Sequence, residues 1–247
     1  MTKTPSTLPD RRRRIYAQAP AEPAWRFWGL SGHIWKPETL QEAYQLAKAN
    51  NGAPGVAGVT FEAIETSGLD ACLAQIRHEL GTRTYRPMRL RHPAMPKNGG
   101  KGGRVLAIPP IRDRGGQGAF TLILEPIFEA AFQPGSYGYR PKRSAHDAVQ
   151  RVAEAIVKDK TRVIAVDWHA YFDNIRHHIL VAKVAQRVNA PDGLHGLKLM
   201  LQASGTKGVA QGGVRSPLRS HLYLTAVDRM LERAKEVTRR GPYPSLE

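Results

Sequence analysis

The chain is nearly devoid of cysteine. Its single thiol, Cys72, excludes an internal disulfide and, with it, the cross-linked scaffolds of small secreted domains. A reducing, cytoplasmic setting is therefore expected. Long apolar runs are also missing, and nothing approaches the roughly 20 residues that span a bilayer. The opening stretch, M-T-K-T-P-S-T-L-P-D-R-R-R-R, has no apolar segment after its charges, so no signal peptide is expected. Acidic residues are scarce: 21 Asp and Glu stand against 37 Lys and Arg, a net charge of +16. Such an excess repels itself unless a polyanion neutralises it. No basic amphipathic helix with large apolar residues on its other face is evident, which disfavours a membrane surface and leaves nucleic acid as the expected partner.

What is present is a chain of 247 residues, 41% apolar, enough to bury a sizeable core in one large or two small domains. Residues 1–20 are rich in Pro, Thr and Arg and read as a mobile basic arm, with Arg11, Arg12, Arg13 and Arg14 as candidate contacts to RNA phosphates. Trp25, Phe27, Trp28, Leu30 and Ile34 form an aromatic-aliphatic cluster suited to a core. Helical spacing follows at 38–49 and again at 61–80, separated by the Gly-rich loop N-N-G-A-P-G-V-A-G-V-T at 50–60. That loop matches neither a P-loop nor a dinucleotide fingerprint. Residues 84–96 and 104–109 read as the strands of a hairpin whose turn, K-N-G-G-K-G-G-R, sets glycines among cations. Its tip could close over a triphosphate through Lys97, Lys101 and Arg104, or be an ordinary solvated hairpin.

A helix is expected over 112–131, although Gly115, Gly116 and Gly118 near its start each cost about 1 kcal/mol relative to Ala. The loop P-G-S-Y-G-Y-R-P-K-R-S at 134–144 interleaves aromatics with Arg140, Lys142 and Arg143, a composition suited to base stacking and phosphate contact. Ser144 and Asp147 then have the spacing of a capping box for a helix to about Val157. Val163 to Val166 read as a buried strand, with Asp167 at its end before the helical pattern of Tyr171, Phe172 and Ile175. A carboxylate at such a junction either caps the helix or holds a divalent cation. A short helix is expected at 191–203, and the Gly-rich turn G-V-A-Q-G-G-V-R-S-P at 208–217 then enters a helix that runs to about Ala234.

In order, these blocks resemble the reverse transcriptases encoded by bacterial group II introns, which also act as maturases. The resemblance covers roughly 25–247. It rests on G-x-x-G-V-T at 55–60, R-V-L-A-I-P at 104–109, R-D-R-x-x-Q at 112–117 and L-E-P-I-F-E at 124–129. S-Y-G-Y-R-P-K-R-S-A-H-D-A at 136–148, D-W-H-A-Y-F-D-N-I at 167–175 and Q-G-G-V-R-S-P-L at 211–218 continue it.

The resemblance implies an α+β fold of polymerase fingers and partial palm, truncated before the family's Y-A-D-D strand. The expected divisions are a basic arm at 1–20, an N-terminal extension and fingers at 21–160, and a partial palm at 161–247. It implies RNA-directed DNA polymerase chemistry with two Mg²⁺. Asp167 would be the catalytic metal-binding carboxylate, with the Trp168 carbonyl as a further ligand. Phe172 would wall the sugar site, Gln211 and Gly212 the nascent base pair, and Lys97, Lys101 and Arg104 the triphosphate. Implied partners are group II intron RNA, an RNA template with a DNA primer, and a dNTP, and a dimer is possible. The chain departs from the family pattern at several positions expected to harm it, among them Gly115 and Gly116, His169 and His221. The 247 residues also contain no Y-A-D-D, so the chain is expected to be an incomplete copy, with a non-catalytic RNA-binding module as the alternative.

Overall fold

The computed structural model describes residues 7–96, 103–160, 162–209 and 216–240. Its first element is a helix, α1 (Leu8–Ala21), where the sequence predicted a mobile arm. Thr7 caps it, accepting from the Asp10 amide, and Pro9 occupies the first turn, where a missing N–H costs nothing. Leu8, Arg11, Ile15 and Ala19 recur at helical spacing and are buried. Arginine content therefore concealed an amphipathic face that packs against α5.

The chain continues through β1 (Phe27–Trp28), α2 (Leu30–Ile34), α3 (Pro37–Ala49) and α4 (Phe61–Gly81). Then come β2 (Ala94–Pro96), β3 (Gly103–Val105), α5 (Ile111–Glu129) and α6 (Ala145–Val157). The remaining elements are α7 (Tyr171–Asn174), α8 (His177–Ala185), β4 (Val188–Asn189), α9 (Pro191–Gln202) and α10 (Ser216–Arg240). Helices dominate. Among the described residues, two small sheets join the parallel pair β1–β4 and the antiparallel pair β2–β3. The predicted hairpin is thus present but short, with Ala94 opposite Val105 and one further bridge between Arg91 and Ile108.

Helix α5 is the axis of the molecule, buried along most of its length and packed by α1, α2, α3, α4, α9 and α10. Its glycines have a use that propensity does not predict. A Cβ on Gly118 would lie 3.0 Å from the Ala43 Cβ, so the bare backbone lets α3 approach closely. A Cβ on Gly116 would meet the Tyr85 hydroxyl and the Met200 methyl at 3.3 Å.

The R-D-R triplet at the start of α5 fastens three neighbours to this axis. Arg112 pairs with Glu79 of α4 and lies 5.3 Å over the Tyr85 ring. The Asp113 carboxylate, 1% exposed, accepts from the Tyr85 hydroxyl at 2.5 Å and from the Met88 amide at 2.8 Å. Burial holds its pKa above the ordinary carboxylate value despite those two donors. Arg114 donates to the carbonyls of Pro109, Gly52 and Ala53, pinning the Gly-rich loop that follows α3.

One predicted element is not formed. Residues 163–166 carry no strand, and Val163, Ile164 and Val166 are 80%, 84% and 71% exposed. A strand is held by ladder hydrogen bonds, and among the described residues nothing pairs with this segment.

A candidate nucleotide cleft

Three segments enclose an open cleft of about 1170 Å³. The hairpin contributes His92, Val105 and Ala107, the Asp167 junction contributes residues 167–173, and the third wall is residues 204–209. Asp167, Trp168 and Phe172, which the sequence predicted to act together, all line it. Asp173 lines it as well, although in a helix continuous from Asp167 it would lie about 120° away around the axis. The reason is local. Ala170 takes a left-handed conformation (φ 47°, ψ 43°), so α7 begins only at Tyr171 and the phase is reset.

Asp167 is exposed, and its Oδ1 accepts from the Trp168 amide at 2.9 Å. Phe172 is steadied by Tyr171, whose ring meets it edge-on at 5.5 Å. Tyr171 in turn packs edge-on against Tyr223 of α10 at 6.3 Å. Burial, followed by the proximity of Tyr223 and Asp228, pushes the Tyr171 phenol well above its ordinary pKa, so it stays neutral.

The wall at 204–209 is latched onto the turn that carries Phe172. The Gly208 amide donates to Ile175 at 2.8 Å and the Val209 amide to Phe172 at 2.9 Å. Nε2 of His177, which is 9% exposed, donates to the Gly208 carbonyl at 2.6 Å. Lys207 Nζ donates to Asn174 Oδ1 at 2.8 Å. Gly208 has φ 87°, and a Cβ there would lie 3.1 Å from the Asp173 carbonyl oxygen, so only glycine fits without displacement. Sequence reasoning missed His177 and Lys207. Their only signal was the position of Lys207-Gly208 just ahead of the Q-G-G block.

Other predicted residues lie elsewhere or outside the described residues. Lys97, Lys101, Gln211 and Gly212 fall outside them. Arg104 is described only in its backbone, which pairs in β3 opposite Met95. Arg11, predicted to reach RNA, is instead 4% exposed and lies 3.6 Å from Glu38. Arg12 is likewise engaged internally, 2.7 Å from Glu125 and donating to the Leu122 carbonyl. Arg140 braces its own loop, pairing with Glu129 at 2.8 Å and donating to the Gln133 and Ser136 carbonyls at 2.8 and 2.9 Å. Arg13, Arg14, Lys142 and Arg143 are exposed.

The fit to a two-metal site is incomplete. Among the described residues, no three His, Cys, Asp or Glu side chains come together so as to hold a metal ion. Two adjacent dications need several anionic oxygens, and among the described residues Asp167 and Asp173 are the carboxylates that line this cleft. No helix of the described residues is long and apolar enough to cross a membrane.

The family profile described as reverse transcriptase (RNA-dependent DNA polymerase) matches residues 95–239, which include every wall of the cleft except His92. Protein YkfC of Escherichia coli strain K12 is 34% identical over 239 residues, covering 91% of this chain and 62% of YkfC. The group II intron-encoded protein LtrA of Lactococcus lactis subsp. cremoris is 28% identical over 220 residues, covering 85% of this chain and 36% of LtrA. The chain thus spans less than two thirds of either relative. A partial Cas6-RT-Cas1–Cas2 complex overlays 83% of this chain and 35% of the compared chain, at 21% identity and a TM-score of 0.45.

Proposed function

The chain belongs to the reverse transcriptase (RNA-dependent DNA polymerase) family, alongside its group II intron-encoded maturases, and from that premise we propose that its cleft receives an RNA template, a DNA primer and a dNTP. The observation carrying this reading is the convergence of Asp167, Trp168 and Phe172 with the hairpin and the 204–209 wall on one cleft. In this reading, residues 21–160 act as N-terminal extension and fingers and 161–247 as a partial palm. The Phe172 ring bounds the sugar, and Lys97, Lys101 and Arg104 neutralise the triphosphate, with Gln211 and Gly212 against the new base pair. Mg²⁺, when bound, would supply charge neutralisation on the phosphates, with the Asp167 carboxylate and the Trp168 carbonyl as its protein oxygens. The described residues bring too few anionic groups to hold a second ion, so no bond-forming step is assigned to them. Recognition of group II intron RNA, assistance to its splicing, dimer formation and a cytoplasmic setting complete the proposal.

The expected outcome for the 247-residue chain is binding without extension. Primer extension on an RNA template should yield no product, while a fluorescent dNTP analogue binds in the presence of Mg²⁺ and is released by Asp167→Ala. Extension that survives stringent purification and disappears in Asp167→Ala would overturn the incomplete-site reading. RNA retention with no nucleotide binding at all would favour a non-catalytic RNA-binding module, the reading that the exposed cations at 142–143 support.

A further inference from the structure

The loop at 134–144, between α5 and α6, is built more rigidly than an exposed basic loop requires. Arg140, its side chain 6% exposed, lies beneath it and donates to the carbonyls of Gln133 and Ser136 while paired with Glu129. From the other side, His221 of α10 donates through Nε2 to the Gly138 carbonyl at 2.5 Å, and its Nδ1 lies 3.3 Å from the Ser136 hydroxyl. Both ends of the tip are therefore fixed to helices. Yet the tip itself carries Tyr139 with 86% of its surface exposed, in a left-handed backbone (φ 53°) that is costly for an aromatic residue. Among the described residues, neither its ring nor its hydroxyl has a partner. The same loop and the helix after it carry cations. Lys142 is exposed and also left-handed (φ 59°), Arg143 lies 5.3 Å over the Tyr137 ring, and the Arg151 guanidinium lies 3.7 Å from where a Gly135 Cβ would stand.

We propose that this loop is a stacking platform for single-stranded nucleic acid, with an unpaired base lying on the Tyr139 ring and the flanking phosphates met by Lys142, Arg143 and Arg151. The inference rests on the reading of the chain as an RNA-binding member of its family, and it adds a site outside the cleft. An aromatic face held out by a braced backbone loses little freedom on binding, so its stacking energy is not spent on ordering the loop. In a duplex the neighbouring base pairs already cover the face that the tyrosine needs, so the site selects single strands over duplex. Sugar identity plays no part in stacking, so a single-stranded DNA should bind this loop much as RNA does.

The test is fluorescence anisotropy with a short labelled oligoribonucleotide, its deoxy counterpart and a duplex of the same sequence. Tyr139→Ala should weaken both single strands roughly tenfold at fixed salt and leave the duplex unchanged. The slope of log affinity against log salt should stay as in the wild type, because no charge has been removed. Tyr139→Trp should retain affinity. Tyr139→Gly should match Tyr139→Ala while relieving the backbone, which separates loss of the ring from loss of folding. Lys142→Gln combined with Arg143→Gln should instead flatten the salt slope. Single-strand affinity unchanged in Tyr139→Gly, or an equal loss on single strand and duplex, would overturn the proposal. Failure of the wild type to bind any RNA would overturn the underlying RNA-binding reading itself.

Discussion

Arg11 shows how a single side chain can alter the sense of a charge run. It is 4% exposed, and among the described residues its Nε and Nη1 have no hydrogen-bond partner, as is also true of His33 Nδ1 and Thr39 Oγ1. These buried polar atoms belong to α1, α2 and α3, and Arg11 is near enough to His33 to influence its titration. Burial first, then the positive charges of Arg11 and Lys36, hold the His33 pKa below its ordinary value of 6.5, with Glu38 opposing. The sign follows directly. The folded state keeps His33 neutral, whereas the unfolded chain takes up a proton as pH falls through 6.5, so this part of the stability is present above pH 6.5 and is lost below it. The melting temperature should therefore fall between about pH 7.5 and 5.5, and His33→Gln should show a shallower fall over the same range. Equal slopes in differential scanning fluorimetry would remove His33 as the cause. The sequence hid this arrangement because four consecutive arginines look solvated. Arg13 does remain so, at 81% exposed, whereas Arg11 and Arg12 turn inward because Leu8, Ile15 and Ala19 fix the buried face of the helix.

Among the elements, the long periodic helices were the most legible in the sequence. The patterns at 38–49, 61–80 and 112–131 emerge as α3, α4 and α5, shifted by a residue or two at their ends. The capping box before α6 also forms as read, with Ser144 and Asp147 each satisfying the other's backbone amide. What spacing could not convey was the close approach that makes the glycines of α5 useful, or the latch between two loops distant in sequence. The cleft depends on that latch. Its third wall is held by main-chain bonds from Gly208 and Val209 and by His177, none of which any periodicity reveals. Gly208→Ala should therefore act twice. An alanine at φ 87° costs about 1–2 kcal/mol in backbone strain, and its Cβ would press on the Asp173 carbonyl at 3.1 Å. Urea denaturation should show a loss of at least that size, together with weaker binding of a fluorescent nucleotide. Loss of stability with unchanged nucleotide affinity would mean that the 204–209 wall does not shape the site.

At the scale of the whole molecule, two surface properties oppose each other. Charge keeps copies apart, since +16 on 247 residues is a strong mutual repulsion. Apolar surface draws them together. Helix α6 buries none of its residues, and Val149, Val152 and Ile156, spaced along one helical face, are all exposed. Val163, Ile164 and Val166 follow in the unpaired segment that the sequence predicted as a buried strand. That prediction failed because an unbroken apolar, β-branched run marks a segment as fit for a strand, while a partner must come from elsewhere in the fold. Which property wins depends on ionic strength. Salt shortens the reach of charge repulsion from about 30 Å at 0.01 M to about 8 Å at physiological strength, while leaving apolar attraction in place. The chain should therefore be monodisperse in dilute buffer and self-associate as salt rises, the opposite of its expected RNA affinity, which salt should weaken. Light scattering coupled to size exclusion across a salt series reads this directly. Val152→Glu with Ile156→Glu should suppress the association by placing charge on the apolar face without touching a buried contact. Association that the double variant leaves intact would assign the attraction to 163–166, and a monodisperse wild type at every salt concentration would show that this apolar surface does not drive self-association.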